Sequence, residues 1–271
     1  MEAKVNRIKV RGYVTKSNLP ESDFVINPYV GCLHGCKYCY ASFMKRFTGH
    51  TEDWGTFIDI KDCDNEFEVK NLKGKTIFIS SVTDCYNPIE KETELTRSIL
   101  KELIGVDAKI DITTKSSLVL RDMDIIKQLN NVQVAISINT LDENFKNDMD
   151  NASPIKDRIE TLKTLHENGI KTVLFMSPIF PEITNFKEII NATKEYVDEY
   201  WFEDLNLRGE YKKVILDYIS KKYPRLTLLY RRIYVKNDKS YWLQLAKEIN
   251  LFCEKNSINF KNYFHHSEIK K

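Results

Sequence analysis

Three cysteines within eight residues are the strongest chemical signal in this 271-residue sequence. Cys32, Cys36 and Cys39 form the pattern C-x3-C-x2-C, with Gly31 and Gly35 allowing the backbone to bend around a bound group. Thiolates are soft ligands that suit iron–sulfur clusters and zinc. Three thiolates can hold three irons of a cubane and leave the fourth iron open to a small molecule. The spacing therefore predicts a [4Fe–4S] site on this loop.

A zinc site is the alternative interpretation of the same cysteines. Structural zinc usually takes four ligands, often from two C-x2-C pairs. Here His34 or a distant cysteine would have to supply the fourth ligand. The other cysteines, Cys63, Cys85 and Cys253, are scattered along the chain, so neither an auxiliary cluster nor a disulfide framework is expected.

Composition and charge are those of an ordinary globular protein. Hydrophobic residues make up 42% and charged residues 30%, and the net charge is +2, which excludes a disordered or fibrous chain. No apolar run reaches the length of about 18 residues that a spanning helix needs, and residues 1–16 lack an apolar signal core. We therefore expect a cytoplasmic protein with no membrane contact.

The elements that must position the cysteines alternate between strands and helices. Apolar runs predict strands at 24–26, 76–80, 109–114, 132–138, 171–176 and 201–207. Amphipathic stripes predict helices at 90–104, 121–129 and 186–197, and another between a Ser153 cap and Gly169. Such βαβ units indicate a parallel sheet, here an open, partial (β/α)6 barrel of the TIM type. Chemistry in such barrels gathers at the C-terminal ends of the strands, where Cys32 would lie.

The same pattern suggests two parts along the chain. Residues 1–209 are expected to form the partial barrel with an N-terminal extension. Residues 210–271 are expected to form a helical and strand extension that packs on the barrel and shapes a substrate pocket.

Several motifs give the chain a resemblance to a known family. The pattern C-x3-C-x-aromatic-C, with Tyr38 as the aromatic residue, resembles the signature of the radical SAM superfamily. Residues 80–90 contain S-x-x-T-D-x-Y-x-P-x-E, which resembles the branch related to spore photoproduct lyase. Further matches to that branch follow in order at 114–116, 121–122, 137–140 and 178–181. Within it, the chain resembles most the proteins called radical SAM mobile pair protein B.

The resemblance implies cofactors and an activity. S-adenosylmethionine would chelate the open iron of a [4Fe–4S] cluster through its amino and carboxylate groups. One electron, from a flavodoxin or ferredoxin type of donor, would cleave it to methionine and a 5′-deoxyadenosyl radical, and that radical would abstract hydrogen from a substrate. The protein would supply binding, orientation and exclusion of water.

The resemblance also assigns roles to residues at the predicted strand ends. The backbone at Tyr38 would contact the adenine. Lys115 would pair with the carboxylate of the methionine moiety, and Arg158 is a second candidate for that role. A cation beside that carboxylate is also what electrostatics requires. The remaining cofactor-binding candidates are Ser80, Ser81, Thr83 and Asp84 near the amino group, and Ser137 and Asn139 at the ribose.

These residues also have purely structural interpretations. The serines can satisfy backbone groups at a strand end. Lys115 can be a solvated loop lysine, and Asp84 can cap the helix that follows it.

The sequence leaves open which residue would donate a hydrogen atom. Spore photoproduct lyases place a cysteine at the end of the second strand, where this chain has Ser81, so repair of thymine dimers is not expected. Cys85, Tyr40 and Tyr86 are the candidate catalytic donors; packing in the core is the alternative for each.

Residues 221–239 carry the clearest hint of a substrate. Seven lysines and arginines accompany one acid there, and three tyrosines lie among them. Lysine and arginine contact phosphates and tyrosines stack on bases, so a nucleic acid or nucleotide is the first hypothesis. An amphipathic surface element has the same composition.

Two other functions remain open. One is modification of a peptide, protein or small metabolite together with a second radical SAM protein, a partner that the mobile pair resemblance implies. The other is a non-enzymatic iron–sulfur or zinc binding module.

Overall fold

The computed structural model describes residues 3–264 except 66 and 68. The strands in this part are β1 Lys4–Lys9, β2 Val14–Lys16, β3 Phe24–Ile26, β4 Tyr29–Gly31, β5 Phe57–Asp62, β6 Thr76–Ile79, β7 Lys109–Thr114, β8 Asn131–Ser137, β9 Lys171–Ile179, β10 Glu199–Asp204 and β11 Phe260–Asn262. The α-helices are α1 Glu90–Thr93, α2 Leu95–Glu102, α3 Met123–Ile126, α4 Glu143–Met149, α5 Ile155–Glu167, α6 Phe186–Thr193, α7 Gly209–Lys222, α8 Thr227–Tyr234 and α9 Ser240–Lys255.

The central sheet has eight strands in the order β11-β10-β9-β8-β7-β6-β3-β2. The run from β3 to β10 is parallel throughout, β11 adds a parallel strand at one edge, and β2 adds an antiparallel strand at the other. The six strands predicted from the apolar runs are thus the parallel core of an open sheet, and the partial (β/α)6 barrel is confirmed.

Alternation along the strands separates two apolar faces. Ile110, Ile112, Val134 and Ile136 belong to the main core, which the flanking helices cover. The opposite face carries a smaller cluster on the concave side, formed by Phe78, Ala135, Val173, Phe175, Trp201 and Tyr263.

Several helix predictions differ from the structure at their ends. The helix predicted at 90–104 is interrupted at Glu94, whose φ is +46°, and the one predicted at 121–129 is a 3₁₀ helix Ser117–Asp122 followed by α3. Ser153 does not cap α5; its Oγ accepts a hydrogen bond from the backbone N–H of Ser117 instead. Asn185 caps α6 as predicted.

The N-terminal part of the chain contributes strands that the sequence patterns did not predict. The small sheet β1-β5-β4 lies beside the barrel, with β1 parallel and β4 antiparallel to β5. After α7, α8 and α9 the chain returns as β11, so the C-terminal extension completes the barrel sheet as well as packing on it. An ion pair between Lys261 of β11 and Glu21, which precedes β3, links the two edges of the open sheet.

Among the described residues, every helix is too short or too polar to traverse a lipid bilayer. The cytoplasmic location stays a prediction.

Candidate functional site

The cysteine loop begins where β4 ends, at a glycine that no other residue could replace without strain. Gly31 has φ +87°, and a Cβ there would lie 2.5 Å from the carbonyl oxygen of Phe57. Its own carbonyl accepts a hydrogen bond of 2.5 Å from Thr83 Oγ1. Thr83, a candidate for the amino-group segment, therefore anchors the start of the loop.

The far side of the loop docks on the end of α4. The backbone N–H of Lys37 donates to the carbonyl of Met149 at 2.9 Å, and that of Asn151 donates to the carbonyl of His34 at 2.8 Å. These bonds hold the loop between the ends of β4 and α4. Its curvature is thus set by residues far apart in sequence.

The three cysteines have the donor chemistry that a [4Fe–4S] cluster needs. All are free thiols, with Cys32 buried and Cys36 and Cys39 partly buried. Burial raises the pKa of each thiol, that of Cys36 to about 12, so thiolates form here when a cationic centre takes the place of the proton. In the described part of the chain the donors do not converge on a single metal ion. A cubane takes one thiolate per iron and does not require such convergence, so these cysteines fit the cluster.

Asp84 is engaged by protein groups on several sides. Its carboxylate accepts hydrogen bonds from Thr114 Oγ1 at 2.7 Å and from the backbone N–H of Lys115 at 2.9 Å. It also accepts from the backbone N–H of Tyr86 and lies 3.3 Å from Nε2 of His34. Asp84 thus joins the cysteine loop to the ends of β6 and β7. Its expected part in cofactor binding is indirect.

Two of the predicted carboxylate-binding cations are brought together near Cys36. Lys115 is half-buried, with its Nζ 5.8 Å from the centre of the Tyr38 ring. Burial would lower the pKa of Lys115, but Cys36 and Asp150 raise it, so the ammonium is charged at neutral pH. Arg158 is 2% exposed and donates to Asp150, to the carbonyl of Ser137 and to the carbonyl of Ser153. Three of its five N–H donors are thereby used.

The segment after β6 is held by a residue that the sequence analysis missed. Asn27 Nδ2 donates to Ser81 Oγ at 3.0 Å, and Asn27 Oδ1 accepts from the backbone N–H of Val82 at 3.1 Å. Ser80 is buried with φ +77°, a conformation unusual for a residue with a side chain. The only sequence signal for Asn27 is its place at the end of a predicted strand.

The ribose candidates lie together at the end of β8. Ser137 is buried, and its carbonyl accepts the bond from Arg158. Asn139 Nδ2 donates to the carbonyl of Pro178 at 3.0 Å, so this amide links the ends of β8 and β9. The roles of both at a ribose stay predictions.

The three candidate hydrogen-atom donors differ in how deeply they are buried. Cys85 and Tyr86 are fully buried in the main core, which argues against both as donors because a substrate at the barrel mouth cannot reach them. Tyr40 is 48% exposed and its hydroxyl donates to the carbonyl of Ser81. Of the three, only Tyr40 lies at the mouth.

Glu203 and Ser177 form a polar pair that the sequence analysis missed. They lie near the C-terminal ends of β10 and β9, and the Ser177 hydroxyl donates to the Glu203 carboxylate. Both strands were predicted, but neither side chain carried a motif. Strand ends without a cofactor role are the usual place for substrate contacts in such barrels.

The basic stretch 221–239 contains the end of α7 and the whole of α8. Its lysines and arginines are exposed. Tyr230 and Tyr234 are buried in a second apolar cluster that also contains Tyr38 and Ile215, so they cannot stack on bases as expected. Tyr223 is partly buried. The stretch can still contact phosphates through its basic side chains.

Comparison with known proteins places the chain in a family. A family model described as the Radical SAM superfamily matches residues 26–193. An uncharacterized protein of Methanocaldococcus jannaschii is 41% identical over 228 residues, which cover 83% of this chain and 86% of that protein. An uncharacterized protein of Acidianus two-tailed virus is 33% identical over 263 residues, which cover 89% of this chain and 82% of that protein.

Solved structures share the fold at low sequence identity. Spore photoproduct lyase with bound AdoMet and dinucleoside spore photoproduct has a TM-score of 0.58 at 16% identity, over 82% of this chain and 66% of that one. Streptococcus suis SuiB bound to S-adenosylmethionine has a TM-score of 0.58 at 17% identity, over 89% of this chain and 50% of that one. The chain thus spans about two thirds of the lyase and half of SuiB.

The chain belongs to the radical SAM superfamily. It is an enzyme of that class, and its cofactors are a [4Fe–4S] cluster and S-adenosylmethionine. When bound, the cluster supplies the electron that splits S-adenosylmethionine. The similarity to the mobile pair proteins in particular stays a prediction.

Proposed function

We propose that this enzyme cleaves S-adenosylmethionine reductively to a 5′-deoxyadenosyl radical that removes hydrogen from a nucleic acid or nucleotide at the barrel mouth. The observation that carries the cofactor half of the proposal is the charge near Cys36. Lys146 and Arg158 lie 3.6 Å and 2.7 Å from the carboxylate of Asp150. With Lys115 beside the Tyr38 ring, these three cations outnumber the two carboxylates of Asp84 and Asp150, and the excess positive charge suits the carboxylate of the methionine moiety.

The substrate half of the proposal rests on the surface formed by α7 and α8. Residues 209–239 contain nine lysines and arginines against three acids. A groove between the two helices is lined by Lys212, Lys213, Arg231 and Lys236. The buried side of these helices packs against Tyr38 and partly buried Cys36, so the basic surface lies close to the cysteine loop. A polyanion held there would be near the cofactors.

One structural neighbour also supports this substrate class. Spore photoproduct lyase, whose fold the chain shares, has been solved with a dinucleoside spore photoproduct. Because Ser81 stands where those lyases are expected to have a cysteine, we propose a different reaction on a related class of substrate.

The first experiment is anaerobic reconstitution with iron and sulfide, followed by dithionite and S-adenosylmethionine. We expect 5′-deoxyadenosine, detected by chromatography, and faster formation when DNA or RNA is added. A flavodoxin or ferredoxin should replace dithionite. Absence of 5′-deoxyadenosine from a fully loaded sample would contradict the proposal and favour a non-enzymatic module.

The second experiment measures binding to single- and double-stranded DNA and RNA across a salt series. We expect affinity to fall steeply between about 50 and 200 mM salt, because lysines and arginines displace counterions from phosphates. The variant Arg231→Ala/Lys236→Ala should bind weakly, whereas Lys247→Ala/Lys255→Ala on α9 should bind as the parent does. Binding that ignores salt would contradict a nucleic acid substrate.

A protein substrate or a partner radical SAM protein is the second candidate function. Exposed apolar side chains on α8 and α9 favour it, with Leu228 80%, Leu243 65% and Leu251 67% exposed. Sedimentation of the chain with a radical SAM protein encoded beside it tests this candidate. We expect a complex that the substitution Leu228→Ser weakens.

A further inference from the structure

We infer that Asp150 is a positioning residue that aligns the cysteine loop with the cations awaiting the cofactor carboxylate. Asp150 follows α4, and its side chain is 2% exposed. It lies 112 residues after Tyr38 in the sequence, and no motif marks it. The inference rests on the family's cofactors and is independent of the substrate.

The Asp150 carboxylate joins two parts of the site. Oδ2 accepts a hydrogen bond of 3.2 Å from the Tyr38 hydroxyl, which belongs to the cysteine loop. Oδ1 accepts bonds from Arg158 Nη2 at 2.7 Å and from the backbone N–H of Ala152 at 3.0 Å. Lys146 Nζ lies 3.6 Å from the same oxygen. One carboxylate thus contacts the loop and two cations.

These contacts fix the direction of the Arg158 side chain. Its Nη1 donates to the carbonyl of Ser137 at 3.2 Å and its Nε to the carbonyl of Ser153 at 2.8 Å. With the bond to Asp150, the guanidinium is held at the end of β8 by three partners. Its two remaining N–H donors have no protein partner in the described ranges.

Removing the charge of Asp150 would leave cations without a counter-charge in a buried setting. Arg158 and Lys146 would then be drawn toward other acceptors, because an unpaired buried charge is costly. Tyr38 would also lose a charged acceptor, so the loop would shift relative to Arg158. Among the described residues, Asp150 accepts its hydrogen bonds from Tyr38, Ala152 and Arg158 and none from the three cysteines, so cluster assembly should survive.

The test uses the full chain, reconstituted anaerobically, with three variants. Asp150→Asn removes the charge, and Tyr38→Phe removes only the contact with the loop. Asp148→Asn is the matched control, because Asp148 lies two residues earlier and pairs at the surface with Lys222 and Tyr218. Three properties are measured: the iron and sulfide content per chain, the affinity for S-adenosylmethionine, and the electron paramagnetic resonance spectrum of the reduced cluster. The spectrum is recorded before and after S-adenosylmethionine is added.

We expect Asp150→Asn to keep its iron and to bind S-adenosylmethionine about tenfold more weakly, with an altered spectral change. Tyr38→Phe should show a smaller effect in the same direction, and Asp148→Asn none. KM for S-adenosylmethionine should rise more than kcat falls. Unchanged affinity in Asp150→Asn would overturn the inference. A second result would also overturn it: Asp150→Asn loses iron only in proportion to its loss of folded protein, measured by circular dichroism, while Tyr38→Phe behaves like the parent. Asp150 would then serve only the stability of the fold.

Discussion

The backbone N–H of Lys115 donates a hydrogen bond of 2.9 Å to the buried carboxylate of Asp84. Asp84 follows β6 and Lys115 follows β7, so this bond ties neighbouring strand ends together. Because Asp84 also lies 3.3 Å from His34 of the cysteine loop, this carboxylate connects the backbone of Lys115 to that loop.

Asp84 should make stability depend on pH in the acid range. Burial would raise its pKa, but the neighbouring His34 and the hydrogen bonds from Thr114 and Lys115 lower it to about 2. A carboxyl whose pKa is lower in the folded than in the unfolded state stabilises the fold above about pH 4, and that stabilisation is lost as the pH falls toward 2. We expect Asp84→Asn to lower the free energy of unfolding at pH 7 by about 2 kcal/mol.

Urea unfolding of the cluster-free chain, followed by circular dichroism, measures this effect. The loss of stability between pH 4 and pH 2 should be shallower in Asp84→Asn than in the parent. The exposed Asp107→Asn serves as the control and should follow the parent curve. Parallel curves for the parent and Asp84→Asn would contradict the prediction.

Gly31→Ala should damage the cysteine loop. The added methyl would lie 2.5 Å from the carbonyl oxygen of Phe57, at a left-handed φ that alanine disfavours. We expect a loss of roughly 2–4 kcal/mol in unfolding free energy and a lower iron content after reconstitution. Gly49→Ala is the control, because a Cβ at Gly49 meets no atom within 4 Å. Equal iron loading in both variants would show that the loop tolerates the methyl.

Lys115→Met should separate cofactor binding from cluster binding. Removing the ammonium takes away a charged partner for the carboxylate, so we expect S-adenosylmethionine to bind about 10–100-fold more weakly, with iron content unchanged. Equilibrium dialysis with labelled S-adenosylmethionine measures the affinity. Lys101→Met, on the exposed side of α2, is the control. If both variants bind like the parent, another residue pairs with the carboxylate.

Glu203→Gln should affect the substrate and leave the cofactors alone. The Ser177–Glu203 pair occupies strand ends that no proposed cofactor contact uses. We expect unchanged 5′-deoxyadenosine formation without substrate, and a KM for the substrate raised about tenfold. Glu199→Gln, at the opposite end of β10, is the control. A lower rate of 5′-deoxyadenosine formation in the absence of substrate would assign Glu203 to the cofactor site instead.

Local patterns predicted the barrel and the chemistry at its centre. Apolar residues recur along β6 to β9, in runs or in alternation, and most of these apolar side chains are buried, a pattern that needs no distant information. The cluster site was also predicted, because the spacing of the three cysteines within one loop is what a cluster requires. The small sheet was missed because β4 has only three residues and β1 exposes four of its six residues.

Local patterns could not predict contacts between residues that are far apart in the sequence. Asp150 contacts Tyr38 over a separation of 112 residues, and nothing near it in the sequence distinguishes it from a solvated acid. The tyrosines of α8 were misread for a related reason. Their spacing indicates a helix face, but only the packing of α7 and α8 over Phe180 and Leu205 shows that this face is buried.

The docking of the cysteine loop on the end of α4 has a consequence for biosynthesis. Met149 and Asn151, which bond to the loop, are made 110 or more residues after the cysteines. A nascent chain that has emerged only as far as β7 carries all three cysteines but lacks the end of α4, on which the cysteine loop docks. The loop can therefore take its folded shape only after α4 and the residues that follow it have left the ribosome.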